Sequence, residues 1–147
     1  MNYLITAAGL GSRFLKESIK PPKPLIKVKG MELLLWSLKS FDFKPKDSLY
    51  IVTLKRDKVK QILLKKINLI YPQINIYWLE LEKCLNGQLL SSLDAINFFK
   101  IQGEILIHNC DTSYKVEYEN IKNILKKNVF GIIPYFNSKG HNWSFIK

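Results

Sequence analysis

Arginine is nearly missing from this chain: only Arg13 and Arg56 occur among 147 residues, although 23 basic against 12 acidic side chains leave a net charge of +11. Proteins that read base edges rely on the forked donors of arginine, so the basic excess gives little support to a nucleic-acid partner. Lysine, isoleucine and asparagine are abundant together, as the coding bias of an AT-rich genome would produce. The surface charge still favours small anions such as nucleotides. Cysteine is equally scarce. Cys84 and Cys110 match no zinc-binding spacing, fit a reducing compartment and are expected as inert core residues. No apolar run approaches the roughly 20 residues that cross a bilayer, so no membrane insertion is expected. The opening Met1–Thr6 lacks a basic leader and runs into glycines, which speaks against a signal peptide and for the cytoplasm.

What is present is material for one packed domain over residues 1–147: 47% hydrophobic and 12% aromatic side chains. Short β-rich runs alternate with helical periodicity. Strands are expected at Asn2–Thr6, Ser48–Leu54, Ile74–Leu79, Glu104–His108 and Val129–Tyr135, with another beginning at Trp143–Ile146. Helices are expected at Met31–Phe41, Arg56–Ile70, Gln88–Phe99 and Tyr118–Lys127. In the third of these, Leu89, Leu90, Leu93, Ile96 and Phe99 are expected to face the core. This alternation predicts an α/β fold, a three-layer Rossmann-like, mostly parallel sheet with helices on both faces. Ligands of such sheets sit beyond the carboxyl ends of the strands, here after Thr6, Leu79 and His108.

The first of those positions carries Ala7-Ala8-Gly9-Leu10-Gly11-Ser12-Arg13-Phe14. Small residues let a ligand approach the backbone, and successive N–H groups in such a turn make a nest for anions. Phe14 stands where the third glycine of a dinucleotide fingerprint belongs, and no G-K-[ST] follows, so the loop is neither a Rossmann nor a Walker signature. On its own it is equally a pair of turn glycines. Beyond it lies Pro21-Pro22-Lys23-Pro24-Leu25, where three prolines stiffen an extended backbone around one lysine. Such stiffness suits an ammonium held at a fixed point against developing charge.

The two segments in this order, AAGLGSRF and PPKPLIKV, resemble the signature of the sugar-phosphate nucleotidyltransferases and their glycosyltransferase-A-like fold. The resemblance implies that Ala8 and Gly9 meet the base, that Gly11, Ser12 and Arg13 hold the triphosphate, and that Lys23 stabilises the transferring α-phosphate. It implies a base-contacting role for Gly87 and Gln88, which precede Ser91-Ser92; alone, Gly87-Gln88 is equally an ordinary helix start. It also implies that Asp111, just beyond the apolar strand Glu104–His108, binds Mg²⁺ shared with the nucleotide, a hard oxygen donor for a hard cation. His108 lies inside that strand and is expected as a satisfied core residue, and His141 has no assigned role.

The implied reaction is transfer of a nucleoside monophosphate, CMP favoured, from an NTP to a small phosphorylated acceptor of sugar-phosphate, phosphocholine or phosphoglutamine type, with release of pyrophosphate. Surface-polysaccharide or capsule synthesis is the implied setting. The chain departs from the family in lacking the later part of a catalytic domain, with its second metal-binding carboxylate and acceptor segment, so the sheet is expected to be incomplete at the C-terminus. An open sheet edge could support a homo-oligomer. Two other readings remain open: a non-catalytic nucleotide-binding or regulatory module, and a basic nucleic-acid-binding domain.

Overall fold

A computed structural model describes residues 1–113, 121, 123–124, 129–135 and 137. The chain divides into two compact units, Met1–Lys115 and Val116–Lys147.

The first unit is built on strand β1 (Asn2–Ala7), whose Leu4 and Ile5 are completely buried. β1 pairs in parallel with β4 (Ser48–Leu54) on one side and with β6 (Ile105–Asn109) on the other. β5 (Asn75–Leu81) adds to β4, also in parallel, giving the order β5-β4-β1-β6. β4 is buried from Leu49 onward, as its unbroken apolar run SLYIVTL requires of a strand covered on both sides.

Helices supply that cover. On one face, Leu4, Tyr50, Val52 and Leu54 pack with Ala95 of α4 (Gln88–Phe99) and with Ile101. The opposite face carries Tyr3, whose ring meets Phe41 and Phe43, and His108, whose ring stands edge-on to Phe41 at 4.9 Å. Helices α2 (Leu33–Leu38) and α3 (Val59–Ile70) cover it with Leu34, Leu38, Leu63 and Ile67, all fully buried. Burial of each such side chain stabilises by about 1.5–3 kcal/mol. The buried Glu32 carboxylate accepts from Lys66, which ties the start of α2 to α3. No helix among the described residues is long and apolar enough to cross a membrane.

Several local expectations are corrected. The helix expected from Met31 begins only at Leu33, because Met31–Glu32 (β3) pairs antiparallel with Lys27–Val28 (β2). The two residues between them, Lys29 and Gly30, both have positive φ, 50° and 79°, the requirement of a two-residue hairpin turn. The helix expected from Arg56 starts at Val59: Lys55–Asp57 forms a 3₁₀ turn and Lys58 takes a left-handed conformation. The strand expected at Ile74–Leu79 runs on to Leu81.

The largest correction concerns α4. Its bounds are as expected, but Leu89, Leu90 and Leu93 are 68%, 45% and 43% exposed, while Ser91, Ser92 and Ala95 are buried. Small side chains let the helix lie close to the bulky sheet residues Tyr50 and Leu54. The serine hydroxyls cost little there, because Ser91 Oγ donates to the Gly87 carbonyl at 3.3 Å and Ser92 Oγ to that of Gln88 at 2.9 Å. Ile96 and Phe99 do pack against this core as expected.

In the second unit, Ile121, Asn123 and Ile124 are helical, and the rest of the helix expected at Tyr118–Lys127 lies outside the described residues. Val129–Tyr135 is not paired as a strand; Phe130, Ile133 and Tyr135 are largely exposed. Trp143–Ile146 and His141 lie outside the described residues.

Candidate functional site

The carboxyl ends of β1, β5 and β6 open onto a cleft of about 310 Å³, within the roughly 300–1,000 Å³ usual for small-molecule sites. Its walls come from three loops far apart in sequence: Thr6–Gly9, the segment from Cys84 to Ser91, and Asn109–Asp111, with Lys23 reaching in from a fourth. These are the three strand ends flagged by the alternation of elements, and the parallel order brings them together.

Glycine at position 9 is not explained by packing. A Cβ there would meet no protein atom within 4 Å, and the residue borders the cleft. Gly87 is required by its backbone instead, since φ 99° and ψ 169° at the N-cap of α4 suit glycine alone. Gln88 follows as the first helical residue and also lines the cleft.

Lys23 and Asp111 meet. The ammonium lies 2.7 Å from Asp111 Oδ2. Pro22 is extended, but Lys23–Leu25 then closes a 3₁₀ turn, with Leu25 N–H bonding to the Pro22 carbonyl at 2.8 Å. The extended geometry expected of the proline run therefore holds at Pro22 and gives way to a bend from Lys23 on, with Pro24 buried. The stem of Lys23 also lies along Gly11, where an added Cβ would sit 3.5 Å from Lys23 Cβ.

Asp111 is held by its neighbours. Ser37 Oγ donates to the Asn109 carbonyl at 2.7 Å, and His108 Nε2 meets the Thr112 carbonyl at 2.9 Å. His108 is thus the core residue expected, bracing the turn from below. Burial pushes its imidazole pKa down, only partly offset by the Thr112 hydrogen bond and the Asp111 charge. Both cysteines border the cleft. Cys110 is buried, and that burial pushes its thiol up to about 12, so it is chemically inert. Cys84 is half-buried and its thiol donates to the Leu85 carbonyl.

Of the residues singled out from sequence, Ala8, Gly9, Lys23, Gly87, Gln88 and Asp111 converge on the cleft. Gly11, Ser12 and Arg13 do not line it. Gly11 has φ 64° and caps α1 (Ser12–Lys16), on which Ser12 and Arg13 are exposed beside the cleft mouth's loop. The Arg13 guanidinium makes no ion pair among the described residues. Thr6, Leu85 and Asn109 were not singled out; their signal was only their place at or near a strand end.

Asp111 is the one carboxylate lining the cleft among the described residues, and no group of three or more metal-ligating side chains occurs among them. A Mg²⁺ that shares one carboxylate with phosphate oxygens and water fits this donor set; an all-protein metal cage does not.

No family model and no curated protein matches the chain. Solved structures do. The nucleoside-diphosphate-sugar pyrophosphorylase from Vibrio cholerae RC9 is 20% identical, with a TM-score of 0.63 over 78% of this chain and 49% of that one. A Bacillus anthracis protein described as a glucose-1-phosphate thymidylyltransferase is 17% identical, with a TM-score of 0.64 over 86% and 50%. The inositol-1-phosphate CTP transferase from T. maritima is 16% identical, with a TM-score of 0.56 over 77% and 44%. The chain therefore has the α/β fold expected of it and spans about half the length of these structures.

Proposed function

We propose that residues 1–147 form the nucleotide-binding part of a nucleotidyltransferase, which moves an NMP from an NTP to a small phosphorylated acceptor and releases pyrophosphate. The observation that carries this reading is the meeting of Lys23 and Asp111, 2.7 Å apart, in a cleft that the glycine loop and the Gly87-Gln88 helix start also line. The fold shared with a sugar pyrophosphorylase, a thymidylyltransferase and a CTP transferase supports the same class.

The base stacks along Ala8 and Gly9, where the backbone carries no bulk, and the Gln88 amide reads its edge by donating and accepting at once. Lys23 neutralises charge growing on the α-phosphate as an acceptor phosphate oxygen attacks in line. Arg13 and Ser12, exposed on α1, reach the leaving pyrophosphate when the triphosphate draws them in. Asp111 holds Mg²⁺, which when bound polarises the phosphate oxygens. CTP is the favoured donor, phosphocholine-, phosphoglutamine- or sugar-phosphate-type molecules the acceptors, and cytoplasmic synthesis of capsule or other surface polysaccharide the setting.

A single cleft carboxylate among the described residues also favours a second reading, a nucleotide-binding module without turnover. Thermal-shift titration with each NTP and Mg²⁺, followed by pyrophosphate release with a panel of phosphorylated acceptors, separates the two. Stabilisation by one NTP with pyrophosphate release supports the transferase. Stabilisation without release under any acceptor supports the module, and no stabilisation by any NTP removes both.

A further inference from the structure

We infer that Lys23 is the resident counter-cation of Asp111 in the nucleotide-free protein, excluding divalent metal from that carboxylate until a triphosphate draws the ammonium away. The inference rests on the nucleotidyltransferase reading and adds an order to it: metal enters with the nucleotide, not before it.

The ion pair has the geometry of an occupied cation site. Nζ sits 2.7 Å from Oδ2, with the two side chains only 26% and 34% exposed. Asp111 is the one carboxylate lining the cleft among the described residues, so the pair is already neutral there. A divalent ion arriving alone would place three positive charges against one negative charge in a partly dry cleft, where screening is weaker than in bulk water. The extended Pro22 and the buried Pro24 set the backbone at Lys23, so the ammonium is presented to Asp111 from a fixed point of the chain. A triphosphate changes the balance, because its oxygens accept the ammonium and supply further ligands to the metal.

The test is Mn²⁺-induced broadening of the backbone amide resonances of Asn109–Thr112, which detects weak binding without activity. In the unaltered protein, Mn²⁺ alone should leave these resonances sharp, and Mn²⁺ with a nucleoside triphosphate should broaden them. In Lys23→Met, which keeps the stem and removes the charge, Mn²⁺ alone should broaden them at a concentration on the order of tenfold lower than the unaltered protein requires. Adding Asp111→Asn should abolish that response, and the remaining amide spectrum reports whether each variant is folded. Equal broadening of the unaltered protein and Lys23→Met by Mn²⁺ alone overturns the inference and leaves the reading of Asp111 intact. So does the absence of broadening in a folded Lys23→Met. Failure of Mn²⁺ with nucleotide to broaden these resonances in the unaltered protein overturns both.

Discussion

Lys23 concentrates what is most testable at single positions. Replacing it with alanine should lower the rate of pyrophosphate release by on the order of a hundredfold or more, the cost of losing a preorganised donor to transition-state charge. Steady-state kinetics with the stabilising NTP checks this, and near-normal turnover would remove Lys23 from the chemistry. His108 gives a pH signature of another kind. Its imidazole is held neutral by burial, with a pKa below the ordinary value of roughly 6.5. Between those two values the unfolded chain binds more protons than the folded one, so stability must fall as pH drops below about 6.5 and level off beneath the folded-state pKa. Urea unfolding from pH 8 to 5 should show this loss in the native sequence and a smaller one in His108→Gln. Sequence alone exposed Lys23, Asp111 and the glycines because their chemistry is local: proline, glycine and a carboxylate at a strand end constrain the chain whatever surrounds them. Arg13 shows the limit. Its place in the motif was legible, but the reach of a long exposed side chain depends on the ligand it meets, which residue order does not encode.

Helix α4 carries the lesson for whole elements. Its length and start were legible from Gly87 and from the apolar spacing that ends at Phe99; of the side it buries, Ile96 and Phe99 were legible and Ser91, Ser92 and Ala95 were not. Apolar periodicity assumes that the most hydrophobic arc faces inward. Here the distance between helix and sheet decides, and at close approach only Ser91, Ser92 and Ala95 fit. Ala95→Leu should therefore destabilise the protein by about 1–3 kcal/mol through overpacking. Leu93→Ala, which removes a larger and more hydrophobic side chain, should change stability by no more than about 0.5–1 kcal/mol. Chemical denaturation of the two variants side by side measures the difference, and a larger loss for Leu93→Ala would mean that the leucine arc is covered in solution. The short β2–β3 hairpin escaped notice for a related reason: Lys29 in a left-handed conformation has no sequence signal as strong as Asn-Gly would give.

Over the whole molecule, the net charge of +11 should act on anions through its field rather than by contact. NTP association should slow several-fold between low and about 0.5 M salt, as screening shortens the reach of surface lysines. Stopped-flow binding at several salt concentrations checks this, and a rate indifferent to salt would confine the lysines to solubility. The parallel sheet was legible at this scale because four apolar runs alternate with helical periods, and right-handed crossovers leave few ways to arrange them. Pairing order was less so, since β1 at the centre is fixed only by partners that come much later. That placement has a consequence for biosynthesis. Leu4 pairs with Tyr50 and with Ile107, so of the strands in this sheet the one made earliest is the one whose second neighbour arrives last. At about 5–20 residues per second, the nascent chain must shelter β1, with its buried Leu4 and Ile5, for roughly 5–20 seconds before translation delivers β6. Until then no cleft exists, and a stalled or prematurely released chain would display that strand to chaperones and proteases.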